Sequence, residues 1–317
     1  MSLPTREKVL FIVNPTSGKM TIKNKLFDVI KLFSDSGFEP TVLMTCKSGD
    51  ASAYASEYGP SFDRIISCGG DGTLNEIVTG IMSLPEEKRP PLGFIPAGTT
   101  NDLADTLRIP KTPLAAAETI INNSAHPNDV GCFNGTKYFN YVASCGAFTS
   151  TSYSTPQNLK NSLGHMAYVL EGIKSLNEIK PIYMKIDSAE IKTEGDFVFA
   201  AITNSLSVGG IYKFDPKHVN LNDGIFEVLL VRMPKNTTDM VDIFYNLTNL
   251  NYDENQVLFF HTSNVTIITE EPIKWTVDGE FGGKLEKVTV KNLPGAIKIF
   301  KPDTQHTPEI SPRDVLI

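Results

Sequence analysis

The stretch RIISCGGDGTLNEIVTGIM, residues 64–82, runs a short apolar segment into three glycines around an acid and then into a helical pattern. Arg64 to Ser67 reads as a buried strand. Gly69-Gly70-Asp71-Gly72-Thr73 breaks it, and Leu74, Ile77, Val78 and Ile81 then share one helical face. Strand, loop and helix in this order form the repeating unit of a parallel sheet covered by helices. The unit recurs on both sides. Upstream, Val9 to Val13 is a strand ended by Asn14-Pro15-Thr16-Ser17-Gly18, followed by a helix with Ile22, Leu26, Val29, Ile30 and Phe33 on one face and Gly37 at its end. Thr41 to Thr45 is the next strand, with a small-residue helix through Ala51 to Tyr58 behind it. Downstream, Leu92 to Ile95 ends at Pro96-Ala97-Gly98-Thr99, and Thr112-Pro113 opens a helix with a capping residue and a proline at its first position. Residues 1–130 are therefore expected to form an α/β domain, a parallel sheet with helices on both faces.

From about residue 130 the period changes. Tyr138 to Ala143, Ile182 to Asp187, Phe197 to Thr203, Ile225 to Arg232, Val265 to Thr269, Lys287 to Lys291 and Ala296 to Phe300 read as strands. Asn222-Asp223-Gly224 and Asp278-Gly279 supply turns. Short strands with turn signals predict a mainly β sandwich over 131–300. One helix interrupts, capped by Thr155, begun by Pro156 and lined by Leu159, Leu163, Met166, Ala167, Leu170, Ile173 and Leu176. The tail, 301–317, is expected to rejoin the first domain.

Two domains also suit the length: 317 residues against a usual domain of about 150. Hydrophobic residues make up 41% and charged residues 21%, which suits a soluble chain with a full core rather than a disordered one. No apolar run approaches the roughly 20 residues of a membrane span. The net charge of −7 argues against a nucleic-acid partner, whose phosphates call for a basic surface. Cys46, Cys68, Cys132 and Cys145 form no C-x-x-C pair and no dense framework, and no secretory leader is recognisable. These features predict a reduced, cytoplasmic protein. The five histidines are scattered without metal-ligand spacing.

Ligands of open parallel sheets bind beyond the carboxyl ends of the strands. Three of the four strand ends in the first domain carry unusual loops. In Gly69 to Thr73 the glycines let backbone N–H groups approach an anion, and the helix N-terminus that follows favours one. This is neither a dinucleotide fingerprint, since Asn75 stands where its third glycine would fall, nor a Walker loop at Asn14 to Met20, whose first glycine would fall at Val13. A tight strand-to-helix turn is the competing reading. Asp71 weighs against it, because a carboxylate facing an anion site makes sense through a bridging metal.

NPTSG at 14–18, GGDGTLNE at 69–76 and PAGTTNDLA at 96–104 together resemble the diacylglycerol kinase catalytic-domain family, in particular its bacterial soluble lipid kinases. Gly209-Gly210 with Asn220-Leu221-Asn222-Asp223-Gly224, and Val277-Asp278-Gly279-Glu280-Phe281-Gly282-Gly283, extend the resemblance through the second half. It implies an ATP-dependent kinase acting on the hydroxyl of a lipid, diacylglycerol first, with nucleotide in the inter-domain cleft. Asn14, Pro15, Thr16, Ser17, Gly18, Gly69, Gly70, Asp71, Gly72, Thr73, Leu74 and Asn75 would hold phosphates, and Thr45 and Thr99 would complete the nucleotide site. Glu280 would be the catalytic base, with Asp278 and Asp71 in the catalytic set. Asp223 would hold a structural Mg2+ with the carbonyls of Asn220 and Ile225, and Asp129 would reach that ion through water. The family often has two aspartates before the glycine where this chain has Asn222-Asp223.

A sphingoid base, ceramide, phosphatidylglycerol or undecaprenol is an alternative acceptor, and a catalytically silent nucleotide-binding regulator is a third reading. The intact Asp71, Asp278 and Glu280 speak against silence. Asp278-Gly279 also suits a plain hairpin turn. The lipid lies in a bilayer, so transient membrane-surface contact is expected. The Pro156–Leu176 helix is either its lipid-facing element or a cover for the sandwich. A homodimer is left open.

Overall fold

Val9 to Val13 are buried at every position, the pattern of a strand covered on both faces. In the computed structural model, which describes residues 6–18, 21–99, 101–147, 180–208, 212–213, 219–249, 253 and 255–303, this run lies among parallel strands. The helix expected over Pro156–Leu176, Gly209-Gly210 and the tail beyond Asp303 lie outside the described residues. The chain divides into two compact units, Met1–Pro127 with Ile297–Ile317, and Asn128–Ala296.

The first unit runs β1 (Glu7–Val13), α1 (Thr21–Asp35), β2 (Phe38–Met44), α2 (Asp50–Tyr58), β3 (Arg64–Gly69), α3 (Asp71–Met82), β4 (Leu92–Pro96), α4 (Asp102–Thr106) and α5 (Pro113–Asn122). The strand order is β2-β1-β3-β4, all parallel. α1 packs with α5, and α2 packs with α3. At the second contact a Cβ on Gly80 would fall 2.4 Å from the Ser52 carbonyl oxygen, so the two helices meet there backbone to backbone. β1 is followed by a neighbour on one side, and the chain then crosses to the other. This reversal puts a crevice beyond the carboxyl ends of β1 and β3.

Then, in the second unit apart from the start of β5 and the end of β15, come β5 (Ala125–Phe133), β6 (Lys137–Phe139), β7 (Val142–Gly146), β8 (Ile182–Ser188), β9 (Lys192–Thr203), β10 (Ser207–Val208), β11 (Tyr212–Lys213), β12 (Phe226–Arg232), α6 (Thr237–Thr248), β13 (Val257–Thr262), β14 (Asn264–Val277) and β15 (Glu280–Phe300). β9 and β14 are long and change partners along their length. β8 pairs with the first half of each, while β7 pairs with the second half of each. One core gathers Phe197, Ile202, Phe226, Val228, Ile267, Trp275 and Val288. A second, on the other face of β12 and β9, gathers Val198, Ala201, Leu229 and Val231 with Ile243 of α6.

Several boundaries differ from the sequence expectation. The strand expected over Tyr138–Ala143 is broken into β6 and β7, because the N–H groups of Asn140, Tyr141 and Val142 turn to the Asp278 carboxylate. β5 and β13 and helix α6 were not expected. α6 is signalled by Asn236, whose side chain accepts from the Asp239 N–H. Lys287–Lys291 and Ala296–Phe300 are one strand, β15. From Ile297 it belongs to the first unit, where Ile299 lies opposite Leu92 in parallel.

Trp275 is the single tryptophan and is buried in the larger core of the second unit, so its fluorescence reports that unit's unfolding. Ile267→Ala in the same core should cost about 2–5 kcal/mol in urea titrations followed at Trp275. An unchanged midpoint would remove Ile267 from that core.

Candidate functional site

Three loops beyond β1, β3 and β4 meet through their backbones. A Cβ on Gly98 would fall 2.6 Å from the Gly70 Cα, and one on Gly18, where φ is +50°, would fall 2.4 Å from the Ala97 carbonyl oxygen. Only glycine allows such approach. Side chains then lock the contact. The Asn101 amide accepts from the Gly98 N–H and donates to the Gly98 carbonyl, both at 2.9 Å. The Gly70 N–H reaches the Ser17 hydroxyl at 3.3 Å. Asn14 donates to Thr73 Oγ1 at 3.0 Å and accepts from the Thr16 N–H at 3.0 Å.

Asp71 opens α3, and its Oδ2 accepts the Asn101 N–H at 2.9 Å while its buried Oδ1 has no hydrogen-bond partner. Burial pushes its carboxyl above the ordinary value, and N–H groups from Asn101 onward pull it part of the way back. Thr45 is held against β1, its N–H on the Val13 carbonyl at 2.9 Å. The turn after it is tied by two acids. Asp50 accepts from the Cys46 and Lys47 N–H groups, which hold its carboxyl low. Glu76 of α3 accepts from Ser48 Oγ and from the Gly49 and Ala51 N–H groups.

These residues divide by exposure. Thr16, Gly18, Gly72 and Thr99 are exposed; Asn14, Pro15, Thr45, Gly70, Asp71 and Asn75 are half-buried; Ser17, Gly69, Thr73 and Leu74 are buried. Leu74 is a core residue, and its N–H is bonded to the Gly70 carbonyl. It supports the loop from beneath. Lys19 and Thr100 lie outside the described residues.

In the second unit, Asp278 and Gly279 form the two-residue turn between β14 and β15, with φ of 45° and 81°. Positive φ at both positions is the turn that matches strand twist. Asp278 is buried and Glu280, two residues on, is exposed. Asp278 thus combines the hairpin reading with a built contact to residues 140–142.

The turn Asn220–Ile225 packs on Asp129. The fully buried Asp129 accepts from Gly224 N and Gly295 N, each at 2.7 Å, and its own N–H donates to the Leu221 carbonyl. Burial pushes the Asp129 carboxyl up, against those two hydrogen bonds. Asp223 is exposed, and its Oδ1 accepts the Ile225 N–H at 3.1 Å. Among the described residues no group of three His, Cys, Asp or Glu side chains is placed to hold a metal. A cation here would rest on Asp223, backbone carbonyls and water, an oxygen-only set that suits a hard ion.

Unsatisfied atoms concentrate beside Asp129. Asn128 and Asn204 both donate to its carbonyl, yet their Oδ1 atoms are buried without partners. Asn292 favours the ionised Asp129, although neither of its amide atoms reaches hydrogen-bond geometry. Glu227 on β12 is buried, its Oε2 has no partner, and burial with repulsion from Asp223 and Asp129 pushes its carboxyl up to about 8. Such a setting suits ordered water or a cation. The signal in the sequence is a lone acid inside the apolar run Ile225–Arg232.

Comparison with known proteins agrees with both halves. The family described as diacylglycerol kinase catalytic domain matches residues 8–133, and the YegS C-terminal NAD kinase beta sandwich-like domain matches residues 145–301. A diacylglycerol kinase of Bacillus subtilis is 36% identical over 282 residues, 88% of this chain and 91% of that one. A Staphylococcus aureus diacylglycerol kinase is 33% identical over 305 residues, 94% of this chain and 93% of that one. A crystal structure of a diacylglycerol kinase from Bacillus anthracis superposes with a TM-score of 0.74 at 27% identity, covering 95% of this chain and 98% of that one.

Glu227 generates a pH prediction. Its folded value of about 8 stands above the ordinary 4.5, so the folded protein binds the proton more tightly than the unfolded chain. Its contribution to stability is complete below about pH 4.5 and falls as pH rises toward 8. In EDTA, Glu227→Gln should lose less thermal stability between pH 5 and 8 than the unmodified protein. Parallel melting curves would refute this.

Proposed function

The chain belongs to the diacylglycerol kinase catalytic-domain family, and from that premise we propose that it transfers the γ-phosphoryl group of ATP to the free hydroxyl of diacylglycerol, giving phosphatidic acid. The observation that carries the reading is the meeting of three strand-end loops at the point where the sheet reverses its order, with backbone approach that glycine alone permits. Phosphates need such a lining, because backbone N–H groups and a helix N-terminus neutralise charge without bulk.

The chemistry divides between the units. The first supplies the phosphate loops, with Thr16, Gly18, Gly72 and Thr99 exposed to meet nucleotide. Thr45 stands on a turn that Glu76 and Asp50 hold rigid. The second supplies Glu280. In the transfer the acceptor oxygen bonds to the γ-phosphorus, the bond from that phosphorus to the bridging oxygen breaks, and ADP leaves. A lipid alcohol has a very high pKa, so Glu280 orients the hydroxyl and takes its proton late. Mg2+ bound with the nucleotide would supply charge neutralisation, and Asp223 with the carbonyls of Asn220 and Ile225 would hold a separate, structural Mg2+, with Asp129 fixing the turn.

No helix among the described residues is long and apolar enough to cross a membrane. The reading therefore includes transient contact with a bilayer surface, from which the acceptor is drawn.

The test is transfer of labelled γ-phosphate into diacylglycerol in mixed micelles, with other lipid alcohols in parallel, with and without Mg2+. Labelled phosphatidic acid, dependent on Mg2+, is the expected product. Label in a different lipid would change the acceptor, and nucleotide binding without any labelled lipid would point to a regulator. Glu280→Gln should leave ATP affinity intact and lower kcat by about 10²-fold or more. Unchanged kcat would remove Glu280 as the base.

A further inference from the structure

The carboxylate of Asp278 is heavily engaged by hydrogen bonds. Its Oδ2 accepts the Asn140 N–H at 2.7 Å and the Asn140 side-chain amide at 3.3 Å. Its Oδ1 accepts the Tyr141 N–H at 3.1 Å and the Val142 N–H at 3.0 Å. Three successive backbone N–H groups converging on one anion form a concave nest. Here the nest is filled by the protein's own side chain, and the Asp278 N–H returns a bond to the Val142 carbonyl at 2.9 Å. The loop is held from behind as well: Thr203 Oγ1 and the Asn204 N–H both donate to the Tyr141 carbonyl, at 2.6 and 3.1 Å.

Beyond Glu280 lies a second clamp. Lys137 Nζ donates to the Phe281 carbonyl at 3.2 Å and to the Gly282 carbonyl at 3.0 Å. Gly282 sits at the bulge where the β14–β15 register shifts, and a Cβ there would meet Val277 Cγ2 at 2.9 Å and the Trp275 carbonyl oxygen at 3.1 Å. Glu280 is thus the exposed residue between two fixed points. One is a buried carboxylate on the turn before it, and the other is an ammonium on the carbonyls after it.

We propose that Asp278 and Lys137 are positioning residues that hold Glu280 at the acceptor hydroxyl, and that Asp278 takes no part in proton transfer. Both oxygens of Asp278 face N–H donors, so a proton placed on either would confront a donor instead of an acceptor. Its buried position also separates it in role from the exposed Glu280. The inference rests on the reading of Glu280 as the base. Its consequence is specific: losing either clamp matters to turnover only while Glu280 is there to be misplaced.

The test is a double-mutant cycle on the full chain with the γ-phosphate transfer assay. Asp278→Asn puts an NH2 group against at least one N–H of the nest. It should lower kcat by about 10-fold or more while the KM for ATP stays within about twofold, as expected when a reacting group is misplaced by a fraction of an ångström. Lys137→Met, at an exposed side chain, should lower kcat by about three- to tenfold, the smaller displacement. In a Glu280→Gln background neither change should reduce kcat further. A loss that persists in full on that background would give Asp278 an independent chemical role and overturn the proposal. If Trp275 fluorescence shows Asp278→Asn to be unfolded, the Lys137→Met cycle decides: no loss with Glu280 present, or the same loss without it, overturns the proposal. If Glu280→Gln alone leaves kcat unchanged, it is the assignment of the base that fails, and the two failures are told apart by that single variant.

Discussion

The contact on which the first unit's loop cluster depends is that between the Gly98 and Gly70 backbones. It lets the loops after β3 and β4 touch with no side chain between them, and Gly18 brings the loop after β1 against the same point. The polar contacts between these loops follow from this closeness. Asp71 reaches the Asn101 N–H across it, Ser17 reaches the Gly70 N–H, and the start of α3 is left facing the crevice where the sheet order reverses. A parallel sheet supplies such a crevice wherever the order reverses. The glycines turn it into a place for an anion.

The second unit solves a different problem, that of holding one exposed carboxylate on a hairpin tip. Its means are long strands that exchange partners and a turn whose acid is buried in the neighbouring loop. β9 and β14 each span two sets of neighbours, so one chain segment serves both the core under β8 and the end carried by β7. The acid of the turn breaks what alternation alone reads as a single strand at Tyr138–Ala143. A buried carboxylate needs donors, and the nearest donors were the strand's own N–H groups.

Much of this was legible in the residues themselves. The strand–loop–helix units of the first half, the parallel sheet and the loops at 14–18, 69–73 and 96–99 follow from apolar runs bounded by glycine, proline and hydroxyl residues. The sandwich character of the second half followed from short alternating runs and turn residues. What escaped were elements whose own pattern is weak. β5 carries His126, Pro127, Asn128 and Asp129 and is a strand because of its partners. Glu227 escaped for the same reason: its burial beside Asp223 and Asp129 depends on residues far away in the chain.

Local chemistry, then, was determined by sequence alone: which segments are strands and helices, where glycine permits close approach, and which loops can face phosphate. Those properties belong to neighbours in the chain, and short-range sterics and periodicity decide them. Tertiary structure alone decided how each acid is surrounded. Asp278 and Glu280 are two residues apart and look interchangeable in sequence, yet one is enclosed by three N–H groups from residues 140–142 and the other is exposed. An acid's role depends on the donors and the solvent that surround it, and those are brought by distant segments only when the chain folds.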